Sequence, residues 1–170
     1  CQLGRTIPLI NLRKVFCPTE EIFTQVQDTL DHRKKGGIDC MTFVGSGETM
    51  LALNVGELIQ QIKQITKIPV AVITNGSLLY LPEVRKELLT ADAVLPSLDA
   101  GNARLYKKIN RPHPEITFSR LVTGLKLFRK EYQGKLWIEV MLIKGLNDSI
   151  EILNEIATIL KDIQPDEVHI

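Results

Sequence analysis

Apolar positions along this chain alternate between two spacings, one helical and one extended. Ile22, Val26 and Leu30 recur at helical spacing after Pro18-Thr19-Glu20-Glu21. There Thr19 is placed to cap the helix, and the two acids suit its positive end. Lys34-Lys35-Gly36-Gly37 closes it. The apolar run over 38–44 predicts a strand. Val55, Leu58, Ile59, Ile62 and Ile65 form one face of a second helix. The β-branched run over 69–73 predicts a second strand. A helix over 81–89 follows, with Pro82 in its tolerated first turn, and then a strand at 93–95. A short helix is expected within 101–109, and Arg111-Pro112-His113-Pro114 breaks the chain. Leu121, Val122, Leu125 and Phe128 mark a helix over 116–132, ended by Gly134. A strand over 136–143 is apolar except for Glu139. Asn147 or Asp148 is placed to cap the last helix, whose apolar face is Ile152, Leu153, Ile156, Leu160 and Ile163. Pro165 ends that helix, and 167–170 opens a fifth strand.

Strands alternating with helices imply βα units and a parallel sheet. Their nearly continuous apolar character fits strands covered on both faces. The spacing suits a barrel or a doubly wound sheet. No Gly-x-Gly-x-x-Gly follows the first strand, so a dinucleotide fold has no specific support.

Composition narrows the function more than the fold. The 170 residues carry 21 Lys and Arg against 20 Asp and Glu, a net charge of +1. Such a balance makes no electrostatic case for tight binding to a phosphate backbone. No apolar run is long enough to span a bilayer and no signal peptide opens the chain, so the expected compartment is the cytoplasm. The chain begins at Cys1 rather than Met and ends within a strand pattern, as a fragment or a processed product would. Three cysteines, Cys1, Cys17 and Cys40, are too few and too scattered for a disulfide framework. Cys17 and Cys40 are expected to be small buried hydrophobes.

In parallel α/β folds the chemistry collects at the carboxyl ends of the strands. The first strand runs into Gly45-Ser46-Gly47-Glu48, the second into Thr74-Asn75-Gly76 and the third into Ser97-Leu98-Asp99. The fourth carries Glu139 and ends in Ile143-Lys144-Gly145, and the last carries His169. Any one of these tips reads as an ordinary turn. Their gathering on one rim favours a site. Gly45 and Gly47 let a backbone approach a ligand closely. Glu48 beside them suits a cationic amine better than a phosphate.

Taken in order, these motifs resemble those of the radical S-adenosylmethionine (radical SAM) family. Cys1-Gln2-Leu3-Gly4-Arg5-Thr6 looks like the end of the Cys-x-x-x-Cys-x-x-Cys cluster loop, with Cys1 as its third cysteine. Thr42-Phe43-Val44-Gly45-Ser46-Gly47-Glu48 resembles the Gly-Gly-Glu motif. Ile73-Thr74-Asn75-Gly76 and Leu95-Pro96-Ser97-Leu98-Asp99-Ala100 resemble the next two strand tips. The stretch from Val140 to Asp148 resembles the Gly-x-Ile-x-Gly-x-x-Glu element. The fuller strings, with Ile109-Asn110-Arg111-Pro112-His113, are most similar to iron–sulfur oxidoreductases related to wyosine-base synthases, which act on tRNA.

The resemblance implies a partial (β/α)6 TIM-like barrel of parallel strands, with the first strand lying before Cys1 and a core domain over 1–170 incomplete at both ends. It implies a [4Fe-4S] cluster and S-adenosylmethionine (SAM) as cofactors, and a flavodoxin- or ferredoxin-like electron donor. Cleavage of SAM would yield a 5′-deoxyadenosyl radical that abstracts hydrogen from a small or macromolecular substrate. Cys1 would be a cluster ligand. Gly45, Ser46, Gly47 and Glu48 would hold the methionine amino group. Asn75, Ser97 and Asp99 would face the methionine carboxylate, ribose or substrate, and Ile143 would pack near the adenine. Three departures stand out. The first two cluster cysteines are not in this sequence, and Cys17 and Cys40 have the wrong spacing to replace them, so no turnover is expected of this chain alone. Thr49 follows Glu48 where this branch usually has Pro. Met141 and Asp148 replace the terminal Gly and Glu of the last element.

Other residues carry less. Arg111-Pro112-His113 reads equally as a rigid breaker or a substrate-facing loop. Glu139 is expected to point into the barrel, since a carboxylate in an apolar strand needs a partner or a task. Trp137 is expected in the core, His32 in solvent, and Lys107-Lys108 on a solvated helix face. Beside the radical SAM reading stand a tRNA-base-modifying enzyme of the same class, a non-catalytic barrel that binds ligand, and a metal-independent barrel enzyme with a phosphate site at Gly45-Ser46-Gly47.

Overall fold

The computed structural model describes residues 9–32 and 37–170. Cys1 and the stop at 34–36 lie outside the described residues. Six helices are described, α1 (Thr19–His32), α2 (Val55–Ile65), α3 (Pro82–Leu88), α4 (Ala103–Ile109), α5 (Phe118–Glu131) and α6 (Ile150–Ile163). They alternate with β1 (Met41–Phe43), β2 (Val70–Thr74), β3 (Ala93–Pro96), β4 (Lys135–Glu139) and β5 (Glu167–His169). All four strand pairings are parallel, and the spatial order β1-β2-β3-β4-β5 is the order along the chain. A doubly wound sheet reverses its order at a switch point. This one does not, and its five parallel strands form part of a barrel wall.

The two faces of the sheet differ as period-2 alternation requires. Val70, Val72, Val94, Leu136 and Ile138 are fully buried against Ile59, Leu88, Leu125, Phe128 and Ile156 of the helices. Burying one such side chain contributes roughly 1.5–3 kcal/mol. The other face gathers Ala71, Ala93 and Leu95 with the half-buried Ile73 and Trp137, and no helical residue joins that cluster. The helices therefore cover one face, and the second face is the concave one. Glu139 shares its parity with Trp137, as expected from the sequence. Trp137 is half-buried on this inner face and stacks on His169 with centroids 5.6 Å apart. It is not a residue of the main core.

Caps set several helix starts. Asn102 Oδ1 accepts from Leu105 N at 3.0 Å, and Thr117 Oγ1 from Arg120 N at 3.2 Å. Each such cap contributes about 1 kcal/mol. Pro82 occupies the first turn of α3.

Several expectations need correction. Thr19 is the first residue of α1, and its hydroxyl donates to Glu57 at 3.2 Å and accepts from Asn54 Nδ2 at 3.1 Å. It ties α1 to α2 instead of capping its own helix. Ser149, not Asn147 or Asp148, caps α6. Cys17 and Cys40 are both exposed. The first strand is confined to Met41–Phe43 and the fourth stops at Glu139. His32 is exposed and Lys107 and Lys108 are exposed, as the sequence indicated. Among the described residues no helix is long and apolar enough to cross a membrane.

Candidate functional site

The carboxyl ends of β1 to β4 converge on one rim, and Glu48 is its first anchor. Glu48 opens a single 3-10 turn, Thr49–Leu51, and its Oε1 accepts from Met50 N at 2.9 Å. The side chain of Met50 is fully buried beneath it. Arg13 holds this turn from behind. Its guanidinium donates to Met50 O at 2.8 Å and Ala52 O at 3.1 Å while pairing with Glu87.

Glu48 then crosses to the tip of β2. Thr74 Oγ1 donates to Glu48 Oε1, and Asn75 N donates to Glu48 Oε2 at 2.7 Å. Three donors thus occupy a carboxylate that has about four acceptor directions. Oε1 takes two of these bonds and Oε2 one. Burial raises the Glu48 pKa above its ordinary 4.5, and the bonds from Thr74, Asn75 and Met50 pull it back only in part.

The loop before Glu48 is open. Gly45, Ser46 and Gly47 are all exposed. A Cβ on Gly47 would meet nothing within 4 Å, and one on Gly45 would come no nearer than 3.6 Å to Gly47 O. Neither glycine has a left-handed backbone. The fold itself has no need of glycine here, and the missing side chains leave room beside Glu48.

The tips of β2, β3 and β4 are knitted together. Ser97 N donates to Thr74 O at 3.2 Å, and Leu98 N to Glu139 O at 2.9 Å. Asp99 is buried. It accepts from Asn110 Nδ2 at 2.7 Å and from Met141 N at 2.9 Å. Asn147, with no exposed surface, donates to Asp99 O at 2.9 Å and Met141 O at 2.7 Å and accepts from Ile143 N at 2.6 Å. Its neighbour Gly145 takes the left-handed turn, φ 73°, that brings the loop round.

Of the residues singled out in the sequence, Glu48 and Asn75 are in direct contact. Ser97 and Asp99 follow on the same rim. Ile143 is half-buried, held by Asn147 and packed against the main core. Gly45, Ser46 and Gly47 form the open lip. Arg111 adopts a left-handed backbone, φ 45°, in the break between α4 and α5. Cys1 lies outside the described residues.

Sequence reasoning missed Thr74, Asn147 and Tyr106. Thr74 read as part of a turn and Asn147 as a cap. Tyr106 on α4 is buried, and its hydroxyl is pushed up to about 12 by burial and then by the charges of Glu48 and Asp99. The spacing of Tyr106 to Asn110, one helical turn, was the available signal.

Two carboxylates therefore face this rim, and neither Glu48 nor Asp99 belongs to an ion pair among the described residues. An acceptor-rich, uncompensated pair suits a ligand that carries positive charge. SAM, with its ammonium and sulfonium, fits that donor set and the room left by Gly45 and Gly47. Among the described residues no three His, Cys, Asp or Glu side chains group as metal ligands. A cavity lined by Ile38, Asp39, Thr66 and Lys67 lies at the amino-terminal end of β2, away from this rim.

The chain is 45% identical over 170 residues to a protein named GTPase Obg from Brachyspira hyodysenteriae, covering all of this chain and 25% of that one. It is 31% identical to the UPF0026 protein MJ1312 of Methanocaldococcus jannaschii, again over 170 residues, and covers 53% of its length. The chain thus spans a quarter to about half of these relatives. Among solved structures, a domain of a pyruvate-formate lyase-activating enzyme from Bacteroides vulgatus superposes with a TM-score of 0.60 at 20% identity, covering 78% of each chain. That likeness shows the same fold. The family model described as the radical SAM superfamily matches residues 1–156, and the chain belongs to the radical SAM superfamily.

Proposed function

We propose that this chain is the SAM-binding catalytic core of an enzyme that cleaves SAM reductively and uses the resulting radical to abstract hydrogen from a substrate. The observation that carries the reading is the family match across residues 1–156. The carboxylates of Glu48 and Asp99, in no ion pair among the described residues, support it from the geometry. A [4Fe-4S] cluster, when bound, supplies the electron for that cleavage. Cys1 would be its one ligand in this sequence.

The remaining work belongs to the chain. Glu48 keeps one acceptor direction for the ligand ammonium while its other bonds fix the lip against β2. Asn75 and Ser97 line the rim between the two carboxylates. Asp99 holds the β3 and β4 tips at a fixed separation, so the ligand meets a preorganised wall. The inner face below, with Ile73, Leu95, Trp137 and Glu139, is where a substrate would lie against the reacting end of the cofactor. Its mixture of apolar floor and one carboxylate shields a reactive species from water and gives a substrate one polar anchor. The tRNA-base alternative draws no support from a net charge of +1.

The test is anaerobic iron–sulfur reconstitution of the full-length protein, with dithionite as reductant and SAM added. Formation of 5′-deoxyadenosine is expected. Its absence from protein that carries an intact cluster would overturn the reading in favour of a non-catalytic binding domain.

A further inference from the structure

Tyr106 is 5% exposed, and its ring packs on Phe118 with centroids 5.7 Å apart. The hydroxyl has no hydrogen-bond partner among the described residues. The other deeply buried tyrosine behaves differently, since Tyr132 donates to Ala91 O at 2.9 Å. A phenylalanine would pack on Phe118 equally well, so packing does not account for the oxygen.

Its position does. Asn110 lies one helical turn beyond Tyr106 and donates to Asp99 at 2.7 Å. That bond turns the shared face of α4 toward the rim. Asn110 Oδ1 is itself buried without a partner. On this side of α4 Asn110 Oδ1 is therefore buried without a partner, Tyr106 Oη makes no hydrogen bond among the described residues, and the carboxylates of Glu48 and Asp99 belong to no ion pair among them. The phenol keeps its proton at any physiological pH, because burial and the charges of Glu48 and Asp99 push its pKa up to about 12.

We propose that Tyr106 is a ligand-contact residue of this rim, its hydroxyl hydrogen-bonding the cationic nucleoside cofactor held beside Glu48 and Asp99. The assignment rests on the SAM reading given above. Tyr106 offers a neutral donor in an otherwise acceptor-rich wall. It can satisfy a carboxylate or hydroxyl oxygen of the ligand that Glu48 and Asp99 would repel or compete for.

The experiment is Tyr106→Phe in the full-length, cluster-reconstituted protein, read by equilibrium dialysis with SAM and by thermal unfolding without ligand. The ligand-free midpoint is expected to match wild type, because no hydrogen bond among the described residues is lost. The Kd for SAM is expected to rise about tenfold, the usual effect of losing one hydrogen bond to a polar ligand. A Kd equal to that of wild type would overturn the assignment while leaving the SAM reading intact. A lowered ligand-free midpoint with unchanged Kd would make the hydroxyl structural and overturn it as well. Failure of the wild-type protein itself to bind SAM, with its cluster intact, would remove the SAM reading and this assignment together.

Discussion

The carboxylate of Asp99 accepts the backbone N–H of Met141, 42 residues further along the chain, at 2.9 Å. A side chain at the tip of one strand thereby takes the place of a ladder partner for the segment leaving the next. This is why β4 stops at Glu139 although the apolar pattern continues to Ile143. The amide of Met141 is committed to the rim and not to a neighbouring strand.

Asn147 completes the same tie, so Asn147→Ala should be among the costliest single changes at the rim. It leaves Asp99 O, Met141 O and Ile143 N without the partners they now have. Leaving one buried polar group unsatisfied costs about 1–3 kcal/mol. A loss of at least about 3 kcal/mol in urea unfolding is expected. An effect under about 0.5 kcal/mol, the usual range of a surface change, would contradict this account.

Glu48 gives the ligand-free protein a distinctive pH dependence. Its folded pKa is raised above 4.5 by burial. The native state then binds more protons than the unfolded state between the two values. Stability from this group is fully present below 4.5 and is lost as pH rises through the raised folded value. Glu48→Gln should remove that downward slope. Saturating SAM should flatten it too, because a ligand cation favours the charged carboxylate. Chemical denaturation across the weakly acidic range, with and without ligand, measures both.

Three glycines should separate ligand space from protein space. Gly47→Ala meets nothing within 4 Å, so its stability should stay within about 0.5 kcal/mol of wild type, while SAM affinity falls. Gly124→Ala would place a Cβ 2.5 Å from Tyr80 N and 2.7 Å from Leu79 C. Those are backbone atoms with little freedom to move, and a loss of about 1–3 kcal/mol or more is expected. Gly76→Ala meets Leu121 and Pro96 at 3.2 and 3.3 Å with φ at 72°, and about 1–2 kcal/mol of left-handed strain adds to that crowding. Unfolding midpoints should therefore rank Gly47→Ala well above the other two.

Tyr132→Phe is the counterpart of Tyr106→Phe. It removes a donor from the buried Ala91 O and should cost about 1–3 kcal/mol. Equal midpoints for the two phenylalanine variants in the absence of ligand would erase the distinction drawn between these tyrosines.

Much of this was legible in the sequence because apolar spacing reports burial directly. Val55, Leu58, Ile59 and Ile62 marked α2, and the β-branched run through Val70 and Val72 marked β2. The rim residues Glu48, Asn75, Ser97 and Asp99 were legible as well, since polar residues at strand ends break that pattern. What escaped were side chains whose local and distant options compete. Asn147 has the composition of a cap, and only the folded chain shows Asp99 and Met141 waiting for its amide. Thr19 has the same ambiguity, settled by Asn54 and Glu57 lying within reach. Cys17 and Cys40 were placed in the core from their average behaviour, yet both fall in connecting segments that the core does not cover. Tyr106 was hidden because an aromatic at helical spacing is an ordinary core residue until its oxygen is located.

The agreement between strand order in space and order along the chain bears on how the molecule assembles. Each new strand finds its partner in the strand made just before it, so every βα unit closes over a short stretch of sequence. During synthesis the sheet can advance by accretion at one edge, with β2 docking on β1 before β3 has left the ribosome. The ties from Asp99 and Asn147 then act as a late latch. They join β3 to a loop beyond β4 and fasten the rim only after four strands are in place.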